Sequence, residues 1–249
     1  MKKAKKIFLG IVTTLLVLVV ISAAVGILFL DRIVKTGVET VGPKITKVPI
    51  TLDEVHIGLL SGSAKVKGLV VGNPEGYKAP EAIRVGLASV GVDSFSILSD
   101  KIVVHSVVVD APEITFEGGL GGNNLSKIMD NVNGTAQQGG PVSTNSAGKP
   151  KPAKKIEVDD FLLTNAKVHV TLTSLGGREM TLPLPEIHLT NLGKGSDGLT
   201  PTELTRAVLD AILTETTKAV SSAAASLGKD TVGIGVSKIK SGIGGFFGK

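Results

Sequence analysis

The sequence predicts a mainly β fold with helices: a single N-terminal transmembrane helix, then an antiparallel sheet covered by C-terminal helices. Three observations carry this. Residues 1–6 hold four lysines and residues 7–30 hold no charge at all. Residues 45–117 are β-branched and alternating runs divided by turn residues. Residues 200–227 open on a capping box and continue with apolar residues at helical spacing.

The uncharged run includes Ile7, Phe8, Leu15, Leu16, Val19, Val20, Leu28, Phe29 and Leu30. At about 1.5 Å per residue it makes a helix of roughly 36 Å, enough to cross a hydrocarbon core of about 30 Å with some tilt. Ser22-Ala23-Ala24 resembles a cleavage site, but the apolar region of a cleaved signal is only about 7–15 residues. Here Val25, Ile27 and Leu28 extend the run past that site, which favours an uncleaved anchor. Lys2, Lys3, Lys5 and Lys6 then stay in the cytoplasm and send residues 31–249 across the membrane.

Composition excludes several function classes. The formal charge of +5 comes largely from those four lysines, and the chain has one Tyr and no Trp. Basic and aromatic residues do not interleave, so this is no nucleic-acid surface. Zero cysteines remove disulfides, thiolate metal sites and thiol nucleophiles. His56, His105, His169 and His188 are scattered, with no pair at metal-ligand spacing. Asp159 and Asp160 are adjacent in a strand and point to opposite faces, a poor arrangement for shared chemistry. "EGGLGGNN" lacks the lysine and hydroxyl of a phosphate loop, and no G-x-S-x-G occurs. The expectation is a protein that is not an enzyme and carries no cofactor or metal.

Along the chain, Ile33, Val34, Val38 and Val41 keep helical spacing until Gly42-Pro43, predicting a short membrane-proximal helix. This helix and the first β-module occupy residues 31–132. Within the module, "GNPEGY" has the chemistry of a type I turn from Asn73 to Gly76. The strand from Lys101 reads as apolar on both faces, with Ile102, Val104 and Val108 on one and Val103, Val107 and Val109 on the other. A second apolar face needs a cover: a helix, another sheet or a non-protein ligand. Val103, Val107 and Val109 are therefore the candidates for a lipid groove. Leu125, Ile128, Met129 and Val132 then mark a short helix.

Residues 133–154 have almost no apolar content and read as a disordered linker. The second module, 155–227, holds a hairpin in which Val168, Val170 and Leu172 turn at Gly176-Gly177 into Met180, Leu182 and Leu184. Pro183 and Pro185 place it at a sheet edge. Thr200 and Glu203 form the capping box of a helix running to Leu227. The Gly-rich tail, 228–249, carries Ile239, Ile243, Phe246 and Phe247 at helical spacing and fits a membrane-surface helix or a segment docked on the protein's own groove.

The order of "VGPKIT", "VHIGLLSGSAKVKGLVVGNPEGY", "ILSDKIVVHSVVVDAPEITFE", "NNLSKIMDNV" and "LPLPEIHLTNLG" behind a basic start and one span resembles the bacterial AsmA-like proteins. The resemblance implies an inner-membrane anchor, a periplasmic domain and a curved sheet with an apolar inner groove. It also implies a part in phospholipid transport or outer-membrane biogenesis, with phospholipid, other envelope proteins or further copies of the chain as partners. With eight or nine expected strands, this chain is shorter than the larger relatives. The alternative is an assembly module that binds another envelope protein without carrying lipid.

Overall fold

A computed structural model describes residues 13–14, 29–119, 122–140, 143–144, 150–151, 153–172, 178–195 and 197–230. Helix α1 covers residues 29–46. It does not stop at Gly42-Pro43. The Thr46 hydroxyl bonds back to the Gly42 carbonyl at 3.0 Å, and Ile45 and Val48 are drawn into the core, so packing outweighs the local break. Lys47, at φ 57, ends the helix.

The strands are β1 (Ile50–Thr51), β2 (Glu54–Gly58), β3 (Ser63–Gly72), β4 (Glu81–Val92), β5 (Lys101–Asp110), β6 (Glu113–Gly119), β7 (Gly122–Asn123), β8 (Ser143–Thr144), β9 (Pro150–Lys151), β10 (Lys155–Thr164), β11 (Lys167–Leu172), β12 (Arg178–Pro183) and β13 (Ile187–Leu192). Eleven of them form one curled sheet, and β8 and β9 pair separately. The eleven are mainly six long passes of the chain in the spatial order β1/β2, β3, β4, β5/β6, β10/β11, β13/β12. Neighbours up to β5/β6 are antiparallel, as short turns require. The pairs β5 with β10 and β6 with β11 are parallel. The sequence expectation was antiparallel throughout. Here the long connection through α2 (Asn124–Gln137) carries the chain back to the same end before β10 begins. Segments on both sides of residues 133–154 thus share one sheet, and residues 133–137, expected as linker, are the last turn of α2.

A crease crosses every long pass and divides it in two. It runs through Leu52-Asp53, Gly68, Val85-Gly86, Ala111-Pro112, Asn165-Ala166 and Leu184 to Glu186. Gly68, Ala111 and Asn165 have φ of 60, 50 and 56, left-handed conformations on three strands. Bonds from Ala111 N–H to the Thr164 carbonyl (2.9 Å), Lys167 N–H to Pro112 (3.0 Å) and Leu184 N–H to Ala166 (2.9 Å) stitch it together. At Gly68 a Cβ would lie 1.9 Å from Asp53 Oδ2, so only glycine fits there. The crease changes which residues face inward: on β4 the buried positions are Ala82, Val85 and Ala88, spaced by three instead of two.

Helices α2 and α3 (Pro201–Asp230) fill the concave face. Helix α2 packs on β6, and α3 lies against α2 and reaches β10, β12 and β13. Ile114, Leu125, Ile128, Val132, Val168 and Val170 are each under 2% exposed. Burying an aliphatic side chain of this size stabilises by about 1.5–3 kcal/mol. The predicted α2 face, Leu125, Ile128, Met129 and Val132, is buried. The capping box forms as expected, with Thr200 N–H to Glu203 Oε2 at 2.7 Å and Glu203 N–H to Thr200 Oγ1 at 3.2 Å. Helix α3 passes Gly228, beyond the expected end at Leu227, and its most buried line is Thr202, Leu209, Ile212, Thr216 and Val220. The expected β11–β12 hairpin forms, with Val168 opposite Leu182 and Val170 opposite Met180, and β12 is an edge.

The end of the sheet beyond β3 is closed by a polar lock. Asn124, fully buried, accepts from Glu117 N–H at 2.9 Å and donates to Asn73 Oδ1 and the Thr115 carbonyl, both at 2.8 Å. The Glu117 carboxylate accepts Lys78 N–H at 2.8 Å and Ala79 N–H at 2.9 Å. These bonds hold the "NPEGY" loop. The turn itself starts one residue later than expected, at Pro74, with Tyr77 N–H 3.4 Å from its carbonyl and Gly76 third at φ 94, the type II arrangement.

Candidate functional site

The site is built where α1 meets the first edge of the sheet. An edge strand offers unpaired N–H and C=O groups that must be covered. Helix α1 supplies that cover with side chains: Asp31 Oδ1 accepts Ile57 N–H at 2.8 Å, and Glu39 Oε1 accepts Leu52 N–H at 3.0 Å. Lys35 Nζ donates to the Asp53 carbonyl at 3.0 Å. The three residues lie on successive turns, so the helix runs along β1 and β2 with Asp31 beside Ile57.

This placement brings Leu30 and Val34 over the concave face near the β2–β3 and β4–β5 turns, where neither α2 nor α3 fills the space. A cavity of about 250 Å³ remains. Its floor is Val55 and Ile57 of β2, Ala64 and Val66 of β3, Val90 and Val92 of β4, and Ile102 of β5. Ile97, from the turn before β5, leans in from the side. Among the described residues the lining carries no charged group. Of its two serines, Ser94 already donates its hydroxyl to the Leu59 carbonyl. Apart from these serines, the described lining is made of aliphatic side chains and glycines.

Val103, Val107 and Val109 do not form this site together. Opposite β4 the register steps from Gly91/Ser106 to Val92/Val104, so β5 carries one extra residue at His105-Ser106. Beside it β10 loses pairing at Asp159-Asp160, and β13 answers with Asn191 at φ 57. The bulge turns Ile102, Val104, Val107 and Val109 to one side, where Val104 and Val109 are core and Val107 packs against it. Val103 stays on the outer face. The doubly apolar reading assumed strict alternation, which the bulge breaks. The residues that line the cavity instead carry the plain alternations Val55/Ile57, Ala64/Val66 and Val90/Val92, legible as strands but not as a site.

The four histidines lie on the outer face. His105 Nδ1 is 3.1 Å from Asp159 Oδ2, His188 Nε2 is 2.5 Å from Asp160 Oδ1, and His56 Nδ1 is 3.6 Å from Asp31 Oδ2. His169 Nδ1 is 3.1 Å from the Thr181 hydroxyl. The hydrogen bond to the Asp160 carboxylate raises the His188 pKa above its ordinary 6.5. No group of three or more potential metal ligands occurs among the described residues.

Of the anchor residues, Phe29 and Leu30 are the first described residues of α1, while Ile7, Phe8, Leu15, Leu16, Val19, Val20 and Leu28 lie outside the described residues. So do Lys2, Lys3, Lys5 and Lys6, and Ile239, Ile243, Phe246 and Phe247 of the tail. Among the described residues no helix is long and apolar enough to cross a membrane. A family model, that of the AsmA family, matches residues 1–177. No curated protein and no solved structure matches the chain.

Proposed function

The chain belongs to the AsmA family, and from that premise we propose a non-enzymatic, inner-membrane-anchored envelope protein that contributes to phospholipid transport or outer-membrane biogenesis. The observation that carries the reading is the uncharged apolar cavity at the end of the sheet where α1 begins. The uncharged run 7–30 enters α1 at that end, so the cavity sits beside the segment assigned to the bilayer. Family membership is consistent with an envelope role, and the lysines 2, 3, 5 and 6 orient the domain to the periplasm.

Size sharpens the reading. At about 250 Å³ the cavity falls just below the range of about 300–1,000 Å³ that encloses drug-sized ligands. It accepts a stretch of acyl chain and leaves the headgroup outside. One copy therefore engages a lipid in contact with the bilayer and does not carry a whole lipid through water. The rival reading, an assembly module without lipid, is favoured by a specific observation too: over β6 and β10–β13 the concave face is filled by α2 and α3.

The test is native mass spectrometry of the full chain released in mild detergent. The lipid reading expects co-purifying phospholipid, lost when Ala64→Phe fills the cavity while circular dichroism stays unchanged. Lipid-free parent protein, or equal lipid on parent and variant, refutes it in favour of the assembly module.

A further inference from the structure

Seven large apolar side chains stand exposed among the described residues: Phe29, Ile33, Val38, Leu60, Leu87, Phe95 and Leu98. All but Val38 and Leu87 gather at one end of the molecule. The neighbourhood is fixed by hydrogen bonds. Asp31 accepts Ile57 N–H at 2.8 Å, Val92 N–H meets the Gly62 carbonyl at 2.7 Å, and the Ser94 hydroxyl reaches the Leu59 carbonyl. Leu60 is 105% exposed and Phe95 and Leu98 are each 91% exposed.

These side chains are held outward by braced turns. Asp93 Oδ1 accepts Phe95 N–H at 2.8 Å, and the Ser96 hydroxyl donates to the Asp93 carbonyl at 2.7 Å while accepting Val103 N–H at 2.9 Å. The Lys154 ammonium bonds to the Ile97 carbonyl. In this one short turn, Ile97 enters the cavity wall while Phe95 and Leu98 point away from it. The far end of the sheet is the opposite in character: its turn shows Glu75 and Lys78 to water and is tied by the Asn73, Glu117 and Asn124 lock. Clustered exposure of this kind marks a contact surface.

The course of the chain says what covers it. Residues 7–30 precede or overlap α1 in the sequence, the first described residues of α1, Phe29 and Leu30, lie at this end, and the first charges beyond the run are Asp31 and Arg32. A span that ends at Leu30 sets Asp31, and the Ile57 N–H bound to it, at headgroup level. The β2–β3 and β4–β5 turns then face the same bilayer surface.

We propose that Leu60, Phe95 and Leu98 form a tip that inserts into the bilayer surface from which α1 emerges, with the cavity mouth held against the lipid between them. This rests on the anchor assigned above. Its consequence is that an acyl chain passes between bilayer and cavity without crossing water.

The chain has no cysteine, so single-cysteine variants carry one probe each. Leu60→Cys, Phe95→Cys and Leu98→Cys, with Glu75→Cys at the far end for comparison, are labelled with a polarity-sensitive dye. The full chain is then placed in vesicles of phosphatidylethanolamine and phosphatidylglycerol, with or without brominated acyl chains. The tip probes are expected to shift to the blue and to lose most of their emission to the brominated lipid, while Glu75→Cys does neither. Tip probes that match Glu75→Cys, in vesicles from which carbonate does not extract the protein, overturn the tip and leave the anchor standing. Extraction by carbonate overturns both. Quenching at the tip in protein that purifies free of lipid supports the tip and defeats the lipid-holding cavity.

Discussion

Replacing Asn124 by alanine removes the centre of the polar lock. Its side chain makes three hydrogen bonds, to Glu117 N–H, Asn73 Oδ1 and the Thr115 carbonyl, all at 2.8–2.9 Å and shielded from water. Each bond is worth about 1 kcal/mol net, and a buried partner left unpaired costs about 1–3 kcal/mol. The loop partner Asn73 can turn to solvent, whereas Glu117 N–H, on a residue 8% exposed, cannot. The expected loss is about 3–5 kcal/mol. For a chain of this length about 2–4 °C is lost per kcal/mol, so the melting temperature falls by roughly 6–20 °C. Thermal unfolding of the full chain in mild detergent, followed by circular dichroism, measures it. Asn124→Asp keeps the acceptor for Glu117 N–H but turns a second carboxylate oxygen on two acceptors, and falls at least as far. Adding Asn73→Ala to Asn124→Ala costs less than the two separate losses, because the pair shares a bond. A drop below about 3 °C for Asn124→Ala would refute the reasoning that this residue locks the end of the sheet.

Three further outcomes are expected. Gly68→Ala combines a left-handed conformation, worth about 1–2 kcal/mol against any residue with a Cβ, with the approach to Asp53. It lowers the melting temperature more than Gly76→Ala does, where φ is also positive but nothing lies within 4 Å. Thr200→Ala removes the N-cap of α3 and costs about 0.5–2 kcal/mol in the same assay, with Thr200→Ser near the parent. For His188 the sign follows from a folded pKa raised above 6.5 by the bond to Asp160. Its stabilisation is complete below the unfolded pKa and disappears as pH rises through the folded one. Melting temperatures of parent and His188→Gln therefore converge on the alkaline side and separate on the acid side; a gap that widens with rising pH contradicts the pairing.

Local chemistry made much of the fold legible. Thr200 and Glu203 announce a helix start because the cap is satisfied within four residues, and Gly176-Gly177 between two alternating runs announces a hairpin. Elements that depend on distant partners were not legible. Ala111 and Asn165 adopt left-handed conformations that their residue types do not demand, so the crease that bends the sheet left no mark beyond Gly68. The bulge at His105-Ser106 exists because β4, β10 and β13 shift with it, and a single strand read alone shows only alternation. Asn123-Asn124 looks like one capping signal, yet Asn123 caps α2 by accepting Ser126 N–H at 2.8 Å while Asn124 bolts the loop 51 residues away. The cavity was hidden for the same reason. Its walls come from α1 and four strands, and the space exists because α2 and α3 cover the other half of the concave face.

The most direct test of the central claim is an experimental structure of the full chain in lipid nanodiscs. The account predicts elongated density between Val34 of α1 and the floor of Val66, Val90 and Ile102, continuous with the bilayer at the end marked by Phe29. A cavity closed by the protein's own side chains, or one opening on water away from the bilayer, would contradict it.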